Sequence, residues 1–361
     1  MTFYDVKEDW SGAKKRWEAW WNFEMLDRPV IVARTGKNNA VRPPELQGFK
    51  YEDTDFVRMY TDVNYMIDKM LHEFYGTYYG GEAVPLLYHG YAVGHAMTFG
   101  CEPHFEKDTI WTDTVPIKEG EEYPDIRFDP ENRWWKLFLD ITEKAARASK
   151  QRYFMMSKWG NLTADNLLLC RGTENLLFDM IENPEWVKKT VKYMSDAQKT
   201  QFDALDELVP LTGLEGWVNA VDCWAPGKTQ AFDADFSAMI SPEMFSDVFM
   251  PPMTEIMQTV DYNIYHLDGI TSLQHLDMLL NTKEIHAIQW VAGDGHWAPM
   301  QWVPLLQKIQ AHKKAVYCYS PPELVVPLAK ELKGEGLCIH TWPDNEDAAK
   351  RLIEDVAKLY R

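Results

Sequence analysis

Short, nearly continuous apolar runs alternate along the chain with longer stretches whose apolar residues recur at helical spacing. Eight runs of the first kind occur, at 29–33, 83–88, 152–156, 230–236, 264–268, 287–291, 315–319 and 337–342. Their length and β-branched or aromatic content predict buried strands. Helix start signals open the stretches between them: 173–208, broken near Asn183-Pro184, then 241–260, 321–333 and 344–360. Segment 10–25 sets Trp17, Trp20, Trp21 and Phe23 among charges and reads as an amphipathic helix packed on the outside of the domain. Strands buried on both faces and separated by helices imply a parallel sheet, and eight such units close most economically into a (β/α)8 TIM barrel. The expectation is a single α/β barrel over 28–361 with an N-terminal helical extension over 1–27. Segments 102–132 and 208–228 are too long for simple connections and read as elaborated loops over the strand ends. No repeat or flexible linker marks a second domain.

A barrel concentrates its chemistry at the C-terminal ends of its strands. Residues at those predicted ends are His89, Trp159, Asp233, Asp235, His266, Asp268, Asp294, Tyr319, Cys338 and His340. Residues two apart on a strand face the same side, so His266 pairs with Asp268, and Cys338 with His340. Imidazole, carboxylate and thiolate together suit zinc, which makes these four a candidate metal set. A second reading uses the carboxylates alone: Asp235, Asp268 and Asp294 as catalytic acid/base groups, with Asp233 as an alternative to Asp235. An acid/base pair of that kind needs a separation of roughly 5–9.5 Å and environments that split its two pKa values. For each of these residues the plain alternative is a satisfied polar side chain at the rim of a core strand.

Composition narrows the partners. Lys+Arg number 37 and Asp+Glu 55, giving a net charge of −18 that repels nucleic acid and anionic membrane surfaces. No apolar run approaches the ~18 residues that span a bilayer, and the five scattered cysteines suggest a reducing, cytoplasmic setting. Aromatic content is high, with 15 Trp, 17 Tyr and 16 Phe beside 17 Met, so flat substrate walls are available. Trp217, Trp224, Trp290, Trp297 and Trp302 lie near the predicted mouth. A substrate pocket is expected from Trp217, Trp290, Met155, His89 and Tyr319. Aromatics near the N-terminus could support a homodimer or cap the barrel. No glycine-rich phosphate loop or dinucleotide fingerprint is present.

Two stretches, RGTENLLFDMIENPEWVKKTV and DFSAMISPEMFSDVFMPPMTEI, resemble elements of the uroporphyrinogen decarboxylase superfamily, and YAVGHAMTFGCEP is similar to its segment before an early-barrel excursion. The resemblance runs from about residue 29 to the C-terminus and implies a (β/α)8 barrel. Porphyrinogen decarboxylases hold substrate carboxylates with an arginine-rich N-terminal loop; Arg28 and Arg34 survive here, but the Gly-Arg-Tyr pattern does not. The other main branch moves methyl groups to or from a corrinoid on a separate protein, and binds zinc through His-x-Cys at one strand end and a distant Cys. YHLDG matches it with His266 for His and Asp268 for Cys, and Cys338 approximates the distant Cys. The resemblance therefore implies methyl transfer between a small methoxylated or methylated substrate and a corrinoid, with zinc assisting. The runner-up is a carboxylate-based hydrolase or lyase on a sugar or phenolic glycoside; decarboxylase and non-catalytic binding roles rank below it.

Overall fold

Six of the eight apolar runs become strands of one sheet in the computed structural model, which describes residues 1–7, 9–89, 94–156 and 163–361. They are β1 (Val30–Gly36), β9 (Thr229–Phe232), β10 (Tyr262–Asp268), β11 (Ala287–Val291), β12 (Ala315–Tyr319) and β13 (Leu337–Thr341), and all pair in parallel. A seventh strand, β2 (Thr77–Gly81), lies antiparallel on the free edge of β1, so the sheet order is β2-β1-β13-β12-β11-β10-β9. The runs at 83–88 and 152–156 shorten to β3 (Leu86–Leu87) and β6 (Phe154–Met155), which pair with each other, and Met156 adds an isolated parallel bridge to Val218. Hairpins β4–β5 (Pro103–Phe105, Ile110–Thr112) and β7–β8 (Trp217–Val218, Trp224–Ala225) occupy the two long segments read as elaborations.

The architecture is thus a barrel-like α/β fold built on a mostly parallel sheet, with helices between strands. The expected eight-stranded closure is not drawn by hydrogen bonds among the described residues. The physical reason is local: β2 occupies the edge that β3 would need. Gly81 makes this approach feasible, since its φ is +60° and a Cβ there would meet the Ile31 carbonyl oxygen at 2.0 Å. Helix boundaries at Thr173–Glu182 and Pro184–Asp206 follow the predicted break at Asn183-Pro184.

Alternate strand residues separate two cores. Ile31, Leu267, Ile288, Val316 and Ile339 face outward and pack under the surrounding helices. Val32, Ile264, Ala287, Ala315 and Tyr317 face inward. The helix Trp10–Trp21 joins the inner core instead of the outer surface: Trp17 and Trp20 are fully buried, and Trp20 Nε1 donates to the Val316 carbonyl at 3.3 Å. Three large indoles form a face too broad for a shallow surface groove, so the helix closes the N-terminal end of the strands. These aromatics are consequently buried within the chain and do not form an exposed face for a second copy. No described helix is long and apolar enough to cross a membrane.

Candidate functional site

Strand β10 sets the site by simple alternation. Tyr265 and Leu267 are buried under the helices, which leaves His266 and Asp268 half-buried on the opposite face at the C-terminal end. Gly269 follows with φ +76°, a backbone conformation that turns the chain away immediately after Asp268. The first 3-10 turn after β9, Asp235–Met239, brings a second carboxylate. Asp235, His266 and Asp268 offer ligand atoms that all lie within 4.8 Å of one another. His266 Nε2 stands 3.9 Å from Asp268 Oδ2.

The imidazole is oriented by its strand neighbours. Gln289, its register partner on β11, donates from Nε2 to the Tyr319 hydroxyl at 2.9 Å, so its Oε1 faces His266 Nδ1 at 2.5 Å. The network assigns the neutral ring's proton to Nδ1 and leaves the Nε2 lone pair toward the carboxylates. That is the arrangement in which a metal-ligating histidine is held by a hydrogen bond from its other nitrogen.

Asp235 is held differently. Asp165, buried on the helix Thr163–Arg171, accepts hydrogen bonds from the backbone N–H of Asp235 at 3.1 Å and of Phe236 at 2.8 Å. It therefore caps the turn that carries Asp235. Burial, then the charges of Asp233 and Asp235, push the Asp165 carboxyl well above the usual carboxylate range. Although Asp235 is exposed at the surface, desolvation of its carboxyl in the crowded mouth raises its pKa; Asp268 adds to this and His266 opposes it. Sequence reading missed Asp165, whose only signal is a lone acid in the apolar stretch TADNLLLC.

The expected four-ligand metal set is not assembled. Cys338 lies one layer deeper on the inner face, fully buried and outside the triad, and desolvation raises its thiol pKa well above the normal value. His340 sits above it, its Nδ1 2.5 Å from the Tyr317 hydroxyl and its ring stacked on Trp342 at 4.5 Å. Burial and the nearby Arg34 guanidinium pull the His340 pKa down to about 3, which keeps it neutral, and its Nε2 is buried without a partner among the described residues. Arg34 itself pairs with Asp222 at 3.1 Å, whereas Arg28 is bound on two nitrogens by the buried Glu82 carboxylate.

The remaining expected residues scatter. Asp294 is exposed in the turn after β11 and lies outside the triad. Trp290 faces outward and packs on Trp302 at 5.0 Å, and Met155 packs outward with Tyr153 and Phe74, because odd and even strand positions exchange faces. Trp224 belongs to the inner floor. Trp217 is half-buried on its hairpin with Nε1 unpartnered among the described residues, and Tyr319 reaches the mouth through Gln289. His89 is buried, its Nε2 2.8 Å from Thr142 Oγ1, and burial lowers its pKa to about 4. Trp159 lies outside the described residues. Trp342, 54% exposed beside His340, was not anticipated.

No family model and no curated protein matches the sequence. Among solved structures the chain is similar to a methyltransferase from Methanosarcina mazei, with a TM-score of 0.60 at 12% identity over 97% of this chain and 99% of that one. At that identity the similarity is one of fold, and it extends over both chains almost end to end.

Proposed function

We propose that this chain is a metal-assisted methyltransferase of the corrinoid-linked type in the uroporphyrinogen decarboxylase superfamily, moving a methyl group between a small methoxylated or methylated substrate and a corrinoid on a partner protein. The observation that carries the reading is the convergence of Asp235, His266 and Asp268 at adjoining strand ends. Two carboxylates and one imidazole form a hard, open donor set suited to zinc, with room for a substrate heteroatom. Replacing thiolate by Asp268 directs the site toward an ether oxygen or amine nitrogen in preference to a thiol. Zinc held there would supply Lewis-acid polarisation of that heteroatom, and the corrinoid would supply the methyl acceptor.

The chain's own residues do the positioning. Gln289 fixes the His266 tautomer and Asp165 fixes the turn bearing Asp235. A flat partner group also finds apolar purchase. Tyr88, Met239, Ile270, Trp297 and Trp342 are all exposed and all follow strand C-termini, which suits docking of a corrinoid-bearing surface. Elemental analysis of purified protein tests the metal: stoichiometric zinc in the wild type, lost in His266→Ala and Asp268→Ala, is expected. Zinc-free wild-type protein that still consumes a methoxylated donor would overturn the reading. Methylcobalamin formation from cob(I)alamin, followed by absorbance with methoxylated and methylated donors, tests the transfer.

A further inference from the structure

A cavity of about 600 Å³ lies beside β3, on the same strand-end side as the triad. Its floor is Met70 and Leu87, part of a buried apolar cluster. One wall is Tyr65, whose ring stacks on Phe49 at 5.8 Å; the other is Tyr60, 5.8 Å from Phe105. Rings backed in this way are fixed before any ligand arrives. Tyr88 closes the side nearest the mouth, where its phenol lies in electrostatic range of Asp233 and Asp222.

The lining chooses among ligand chemistries. Sugars are gripped by planar amides, guanidinium groups and tryptophan faces, and none of the lining residues is Asn, Gln, Arg or Trp. An anion would need an excess of positive charge, but Lys69 and Lys107 are matched by Glu73 and Asp108. Three methionines and three tyrosines instead offer polarisable contacts to a flat ring. The volume falls within the ordinary range for small-molecule sites. Among the polar lining groups Lys69 and Glu73 stand one helical turn apart, and neither makes a hydrogen bond or ion pair with a described side chain. Burial raises the Glu73 carboxyl above its usual pKa, with Lys69 and Arg34 opposing; Lys69 supplies a donor and Glu73 an acceptor.

We propose that this cavity binds a neutral aromatic ring bearing a hydroxyl or alkoxy substituent, with Lys69 and Glu73 hydrogen-bonding that substituent. As the identity of the methyl donor this rests on the methyltransferase reading; as a binding site it stands without the triad. Calorimetric titration with 2-methoxyphenol, and with methyl glucoside for comparison, is the test. The aromatic ether binds the wild type and His266→Ala alike, while Met59→Trp, which fills the cavity from a half-buried position, and Glu73→Gln each weaken it by about tenfold or more. Melting curves separate a folding failure in either variant from a loss of binding. Absence of wild-type binding, preference for the glucoside, or unchanged affinity in both folded cavity variants would overturn the assignment. Loss of binding in His266→Ala alone would place the ligand at the triad and overturn it equally. Zinc-free wild-type protein that binds the ether as described and still consumes a methoxylated donor would sink only the methyltransferase reading.

Discussion

The indoles at one end of the strands and several polar side chains at the other are satisfied differently. At the N-terminal end, Trp17, Trp20, Trp21 and Trp224 all donate their indole N–H to backbone carbonyls, at 3.1, 3.3, 2.9 and 2.9 Å. At the C-terminal end, Arg34 Nε, Trp217 Nε1 and His340 Nε2 are buried with no partner among the described residues. Buried polar groups are ordinarily paired, and an orphan among them costs about 1–3 kcal/mol. The indole floor is built for stability, while the orphaned groups at the other end stay in hand for a ligand.

Removing one indole from the floor breaks this contrast most severely. Trp20→Ala deletes a fully buried side chain and its bond to Val316, and should cost about 3–5 kcal/mol in urea unfolding. His266→Ala, at a half-exposed position of the mouth, should cost less than about 1 kcal/mol in the same measurement. Equal losses at both positions would mean that the two ends do not differ as described.

Acid should expose a second asymmetry, smaller per residue. His89 and His95 are buried neutral, with pKa values lowered to about 4 by desolvation. Unfolded histidine titrates near 6.5, so below that pH the unfolded chain binds protons that the folded chain refuses, and stability falls as pH drops from 6.5 toward 4. Each residue should contribute roughly 2 kcal/mol of loss between pH 7 and pH 5. Urea midpoints across that range check it; a flat profile, or an unchanged slope in His95→Gln, would show that these rings are not held neutral.

Much of the frame was legible because burial writes itself into a strand as a run of apolar residues. The sheet runs at 264–268, 287–291 and 315–319 coincide with strand ends in the structure to within two residues. The triad was half legible: His266 and Asp268 follow from period-two alternation within one strand. What joined them was not. Asp165 reaches Asp235 across 70 positions of sequence, and Gln289 reaches His266 through strand register, neither of which leaves a local pattern. Tryptophans misled for the same reason. Trp290 and Trp224 are near the mouth in sequence but sit on the outward face and in the floor, because one residue of register decides which side a side chain takes.

Gln289 offers the finest test of the mouth, since it is fully buried yet touches no proposed substrate. In Gln289→Leu the volume stays close to that of the wild type, but His266 Nδ1 loses its acceptor and the Tyr319 hydroxyl loses its donor. The imidazole is then free to rotate or to change tautomer, and losing the hydrogen bond that orients a metal-binding histidine lowers metal affinity by about 10–100-fold. Competition with a fluorescent chelator reads the zinc affinity directly. Gln289→Glu keeps an acceptor at Oε1 and should recover most of it, a rescue that general loosening of the strand would not produce. Unchanged zinc affinity in the leucine variant would mean that His266 is oriented by β10 alone, and that the network linking it to Tyr319 serves the strand rather than the site.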